Sequence, residues 1–268
     1  MNLLKKIILV FFIFSIVSFS QIKPGAKQIA LSHSSVAAGT DAYDIYNNPA
    51  LLAKTKKREA GIYYSPSPFG INKLANGAAV FYEPTDYGGF AFAYSFYGFE
   101  LYKKNSILLS YSNKIFETIS LGATIVYQNL SIKNYGNDYA FTLIAGGVMQ
   151  ISENFNAGFS IDNLTHSTFG AYDNQLPIIF DFGLSYTILK ILRFNAAIEK
   201  ELEKNTSLHI GIDYKIIKYL NLRIGVMNEP ASFSAGIGIN YSIIQLDYAL
   251  FNHQDLGFTH QLGLNIIF

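Results

Sequence analysis

The stretch Leu208–Tyr241, LHIGIDYKIIKYLNLRIGVMNEPASFSAGIGINY, decides the fold. In its first segment Leu208, Ile210, Ile212 and Tyr214 alternate with His209, Gly211, Asp213 and Lys215. The next two segments repeat the pattern, with Leu220, Leu222, Ile224 and Val226 against Asn221, Arg223 and Gly225, then Phe233, Ala235, Ile237, Ile239 and Tyr241 against Ser234, Gly236, Gly238 and Asn240. Period two is the signature of a pleated strand with two unlike faces. One face is apolar throughout and the other is polar or very small.

Extending this reading in both directions gives strands near 59–65, 77–83, 88–97, 105–114, 118–130, 138–151, 154–163, 178–188, 191–200, 205–216, 219–228, 231–242, 244–252 and 258–268. Connections after even-numbered strands are tight, while 66–76 and 164–177 are longer. An even strand number, short turns at one end and longer loops at the other fit an all-β, antiparallel transmembrane barrel of about fourteen strands, with both termini on the periplasmic side. A soluble β-sandwich also alternates. Against it, the polar face here consists largely of Gly, Ser, Asn and Thr and carries little charge.

Composition agrees. Half of the 268 residues are hydrophobic and 15% are charged, and 22 Phe, 19 Tyr and 21 Gly suit strands better than helices. Lys and Arg (20) nearly balance Asp and Glu (19), which argues against a nucleic-acid partner. The absence of Cys removes disulfides, thiol nucleophiles and cysteine-ligated metals. Residues 1–20, MNLLKKIILVFFIFSIVSFS, combine Lys5 and Lys6, an apolar core and a small-x-small end at Ser18 and Ser20, the pattern of a secretory signal peptide. The outer membrane of a Gram-negative bacterium is the expected location and its lipid the expected surroundings.

Residues 21–58 lack alternation and contain GAKQIALSHSSVAAGTDAYDIYNNPALLA, Gly25 to Ala53. Asn48 can cap a short helix begun by Pro49, whose Ala50 and Leu51 would pack inside the barrel. The motif residues Gly25, Ala26, Asp41, Asn48, Pro49, Ala50 and Leu51 make this stretch resemble the N-terminal motif of the PorV/PorQ family and the related FadL-type transporters, leaning towards PorQ through Asn47–Leu52. The sequence departs from that motif where the family's double glycine is replaced by Ser32, His33 and Ser34. The resemblance implies a fourteen-stranded barrel, residues 59–268, preceded by a plug or hatch, residues 21–58.

No catalytic motif is present, and the five histidines are scattered, so neither an enzyme, a metal site nor a cofactor is expected. His209 and Asp213 share a face but lie about 13 Å apart along the strand at about 3.3 Å per residue. Alternation points Asp181, Arg193, Glu199, His209, Asp213, Arg223 and Asp247 into the lumen, where charge is cheaper than against lipid. They can line a polar conduit, or pair across strands and keep the lumen closed. The basic run Lys54, Lys56, Lys57 and Arg58 precedes the first strand, and Leu264, Ile266 and the terminal Phe268 resemble the aromatic-ended strand that barrel-assembly machinery recognises.

Two functions remain open. The PorV/PorQ resemblance implies a barrel that assists type IX secretion or surface attachment, with secreted cargo proteins and other secretion components as partners. A FadL-like channel for hydrophobic small molecules is the alternative. Apolar inward positions and a kinked strand would favour the channel, whereas long or aromatic surface loops would favour docking, for which Phe99, Leu101, Tyr102, Phe169 and Tyr172 are candidates.

Overall fold

Ile224 is 56% exposed while its neighbour Arg223 is 2% exposed, and the same inversion runs round the whole molecule. Phe92, Leu109, Ile125, Phe182 and Leu262 lie on the outside, and Ser110, Thr124, Asn195, Gln245 and Asn265 lie inside. A water-soluble protein buries its large apolar side chains. The reverse arrangement is stable where hydrocarbon surrounds the strands, and it excludes the sandwich.

The computed structural model describes residues 23–39, 41–71, 73–170, 174–254 and 256–268; the signal-peptide reading of 1–20 lies outside them. The first half of the barrel comprises β1 (Glu59–Pro66), β2 (Ala75–Thr85), β3 (Gly88–Phe99), β4 (Tyr102–Phe116), β5 (Ile119–Ile132), β6 (Gly136–Ser152) and β7 (Phe155–Asp162). A small hairpin, β8 (Thr168–Phe169) and β9 (Asn174–Gln175), interrupts the series. The barrel then continues through β10 (Ile179–Ile188), β11 (Leu192–Glu201), β12 (Thr206–Ile217), β13 (Leu220–Asn228), β14 (Ala231–Tyr241), β15 (Ile244–His253) and β16 (Gly257–Ile267). Fourteen antiparallel strands close into one ring, with β7 beside β10 and β16 beside β1. Glu59 pairs with Ile267 and Tyr64 with Leu262 across the closing seam. Closure leaves no edge strand, as a lipid-embedded sheet requires.

Turns at one end, such as 86–87, 117–118, 153–154, 218–219 and 242–243, are two residues long. That end is assigned to the periplasm. The chain's two barrel ends also meet there, where the Phe268 amide donates to the Arg58 carbonyl at 2.9 Å. At the other end only 67–74 and 163–178 exceed four residues. Phe99 and Tyr102 are strand residues paired with each other, Phe169 belongs to the hairpin and is buried, and Tyr172 is outside the described residues. Of the five docking candidates Leu101 alone is exposed among the described residues. Outward aromatic rings instead stack near both rims, Tyr219 with Tyr241 at the turn end and Tyr127 with Phe141 towards the loop end.

Among the described residues no helix is long and apolar enough to cross a membrane. The helices that precede β1 are short: α1 (Ala26–Ala30) and the 3₁₀ turns η1 (Ala42–Tyr46) and η2 (Pro49–Lys54). Ile224→Arg, mid-strand on the lipid face, should cost about 2–4 kcal/mol, and Ile239→Arg, opposite Leu220 near the turn end, about 0–1 kcal/mol. Equilibrium urea unfolding from liposomes measures both; equal costs would contradict this depth assignment.

Candidate functional site

The lumen is occupied by the segment 26–54. Helix α1 packs on β13–β16, η1 on β1–β3 and η2 on β3–β6. Between them, residues 31–37 approach β7, β10, β12 and β13. Three pairs of inward glycines make this approach possible, each pair directly opposed across neighbouring strands: Gly122 with Gly146, Gly158 with Gly183, and Gly211 with Gly225. A Cβ at Gly122 would lie 2.5 Å from the Pro49 carbonyl carbon, and one at Gly158 would lie 2.7 Å from the Val36 carbonyl oxygen. At Gly211 and Gly225 it would strike Ser34 and Leu31. Backbone therefore rests on backbone, which only glycine allows.

The motif residues hold the segment's shape. Asn48 Oδ1 accepts from the Ala50 amide at 3.1 Å, and its Nδ2 donates to the carbonyls of Val36 at 2.7 Å and Gly147 at 3.2 Å. Pro49 opens η2, and Ala50 and Leu51 are completely buried. Burying a Leu side chain is worth about 1.5–3 kcal/mol. Gly25 precedes α1 with φ 129°, a conformation that L side chains rarely adopt, and Ala26 lies beside Gly263. Asp41 caps η1 by accepting from the Tyr43 amide at 3.0 Å, accepts from Gln28 at 2.8 Å, and has Lys27 at 4.0 Å. Where the resembled family carries two glycines, Ser32 and His33 hold φ of 50° and 56°. Contacts with the wall keep them there: the Ser32 hydroxyl meets that of Ser234 at 2.8 Å, and its carbonyl lies 2.6 Å from His209 Nδ1.

The inward charges fall into two groups. Arg223 lies between Asp247, 2.5 Å away, and Asp213, 3.4 Å away, with Asn221 donating to Asp213 and Gln245 to Asp247. Asp181 is 3.5 Å from Lys23 and accepts from Ser160. Glu199 pairs with Asp181 in the register, and Arg193 lies opposite Asp213 at the periplasmic end. Burial works against the Lys23 ammonium, but Asp181, Asp162 and Glu199 together outweigh it and hold its pKa above the usual value. Lys23 carries no signal in the sequence and emerges only from the fold. Leu264 and Ile266 lie in β16, and Phe268 is exposed just beyond it.

Two cavities flank the segment. The outer one, about 190 Å³, has a mixed lining: Tyr46, Tyr97, Leu108, Val126, Ile144 and Phe169 supply apolar surface, and Asn76, Ser95, Ser106 and Gln128 join the charged Lys23, Lys104 and Asp162. The inner one, about 470 Å³, opens at the periplasmic end. The lumen wall is also two-sided. From β2 to β6 it presents an apolar cluster, Val80, Ala93, Leu108, Val126, Ile144 and Val148, packed against Ile45, Leu51 and Leu52, interspersed with uncharged polar side chains such as Asn76, Ser110, Thr124 and Gln128. From β10 to β15 it presents the charges and their hydrogen-bonding partners. The β6–β7 ladder stops at Ala145–Ile161, so Gly136–Ile144 have no β7 partner, and the 163–178 connection bonds there instead, Leu164 to the Leu143 carbonyl at 2.9 Å.

These features define a closed fourteen-stranded barrel of the outer-membrane type with a filled lumen. Solved channels share the fold: the Ralstonia pickettii toluene transporter TbuX (12% identity, TM-score 0.65, 91% of this chain and 97% of that one) and the Pseudomonas putida toluene transporter TodX (11%, 0.66, 93% and 98%). A Pseudomonas aeruginosa FadL homologue is similar to the same degree (13%, 0.63, 91% and 98%). No protein-family model and no curated protein matches the chain. The likeness is one of fold. The PorV/PorQ resemblance of the motif is not shown by these similarities.

Gly122→Val should displace Pro49 from the wall and raise single-channel conductance in planar bilayers; unchanged conductance would show that this contact does not close the lumen. Arg223→Met leaves Asp213 and Asp247 buried without their partner and should destabilise the barrel by about 3–5 kcal/mol in urea unfolding. Burial, then the nearby Lys23 and His209, push the His33 imidazole down to about 3 against a hydrogen bond to Asn47 that opposes them. A depressed pKa means that the unfolded segment binds the proton more readily, so this stability is complete above about 6.5 and is lost as pH falls towards 3. Protection factors of the amides in 26–54, taken against the intrinsic exchange rate at each pH, should fall over that range, and His33→Asn should flatten the dependence.

Proposed function

We propose that the protein is a passive outer-membrane channel for small hydrophobic molecules, with the segment 26–54 as its hatch. The observation that carries this reading is the apolar cluster on β2 to β6, which leads from the outer cavity along the face where η1 and η2 pack. A hydrocarbon is stabilised wherever it meets that cluster in place of water. The similar structures include a toluene transporter and a monoaromatic hydrocarbon channel, CymD, which agrees in solute class. In this reading the solute enters near the 163–178 connection, where β6 lacks its β7 partner, and the hatch rearranges on its apolar side. The tight turns and few loops leave little surface for receiving secreted proteins, so the assisted-secretion reading implied by the PorV/PorQ resemblance has less support.

Hydrocarbons cross plain phospholipid freely, so the test needs intact cells with a lipopolysaccharide outer membrane. Expression should raise the initial rate of naphthalene uptake, and Leu108→Arg, which places a charge in the outer cavity, should return it to the background. An unchanged rate, together with loss of C-terminally sorted surface proteins on gene deletion, would replace this proposal with the secretion role.

A further inference from the structure

The basic run before β1 divides in two. Arg58 turns outward and is paired with Glu83, Nη2 to Oε1 at 2.7 Å. Lys54, Lys56 and Lys57 instead line the periplasmic cavity, where Arg193 joins them from the first inward position of β11. The remaining polar groups of that cavity are donors or can act as donors: the hydroxyls of Thr55 and Thr187, and the amide of Asn156, whose Oδ1 is already taken by Lys54 Nζ at 3.0 Å. Among the described residues the one carboxylate in the lining is Glu59, and its Oε2 accepts the Ala42 amide at 2.8 Å. Four cations thus share a cup with one engaged anion, and Asp213, outside the lining, stands opposite Arg193.

The cup has the size of a ligand site, about 470 Å³ against a usual range of roughly 300–1,000 Å³. Barrel and hatch wall it on the inner side, where Lys54 and Arg193 are half-buried, while Lys56 and Lys57 at its mouth are exposed. Lys54 registers the crowding: burial first, then Arg193, depress its pKa, and a bound anion would offset the repulsion from Arg193.

We propose that this cup binds an oxyanion, carboxylate or phosphate, and that the bound anion bridges the neck of the hatch to the barrel wall. Lys54, Thr55, Lys56 and Lys57 belong to the chain leading from η2 into β1, whereas Asn156, Thr187 and Arg193 belong to β7, β10 and β11. An occupant held by both sets ties them together and opposes hatch movement. The inference rests on the cup alone and is independent of what crosses the lumen.

The test uses the full chain in detergent micelles, titrated calorimetrically with inorganic phosphate and with benzoate at constant ionic strength in chloride. Saturable binding of at least one probe is expected, weakened roughly tenfold or more, as for loss of a charge-assisted contact, in Lys56→Gln/Lys57→Gln and in Arg193→Gln. Thr187→Glu supplies a carboxylate from the wall itself and should abolish probe binding while raising the thermal midpoint. No saturable binding of either probe, or wild-type binding in all three variants, would overturn the proposal. Nanodiscs identify the source of the anion. Probe binding lost in phosphatidylglycerol discs and kept in phosphatidylcholine discs marks a lipid headgroup as the occupant, and binding kept in both marks a soluble anion.

Discussion

A ring of fourteen strands encloses more space than its own inward side chains can fill, and in this chain those side chains are mostly Ser, Ala, Gly, Asn and Thr. The wall alone would surround a water-filled bore. Everything inside the barrel follows from the need to occupy that bore with another length of the same chain. The segment 26–54 does so without a long helix, by laying irregular backbone against strands whose opposed glycines leave room for it. Irregular backbone at membrane depth is tolerated where protein surrounds it, and the closed ring supplies that surrounding.

The two sides of the lumen hold the segment by different forces. On β10 to β15 the contacts are directional: Lys23 with Asp181, His209 with the Ser32 carbonyl, Ser234 with Ser32 and the Ala30 carbonyl. Each fixes a register, because a buried polar group left unpaired is costly. On β2 to β6 apolar, non-directional packing predominates, and the hydrogen bonds there are few, Asn48 to the Gly147 carbonyl and Thr124 to the Ile45 carbonyl. One side holds the segment mainly by ion pairs and hydrogen bonds and the other mainly by apolar packing, and the neck at residues 55–58 joins both to β1.

Most of the wall was legible in the sequence, since the outward positions must all be apolar and the period of two is nowhere masked for long. The fourteen strands fall within a few residues of their expected limits, as the seam Glu59–Ile267 requires. The interior was less so. Val80, Leu108, Val126 and Ile144 lie on inward positions of strands whose outward positions are also apolar, which blurs alternation. Gly122, Gly158 and Gly211 were readable as small residues, but their role depends on which strand lies opposite and on where residues 31–50 pass. The hairpin β8–β9, two residues a side, is too short to show a period, so Phe169 read as a surface aromatic when it caps a cavity. The Asn48–Pro49 turn was legible because capping is local chemistry, and Lys23 was not because its partners are more than a hundred residues away.

The outer rim has a consequence for how a cell bearing this barrel meets its surroundings. Apart from 67–74 and 163–178, the strands are joined there by connections of two to four residues. Antibodies, phage tail fibres and bacteriocins need a raised feature to grasp, and these two segments supply nearly all that the molecule offers. Escape from such agents therefore requires change in about two dozen residues. Those of 163–178 also carry Phe169, Leu176 and Pro177, which roof the outer cavity, so part of that surface cannot vary without altering the space beneath it.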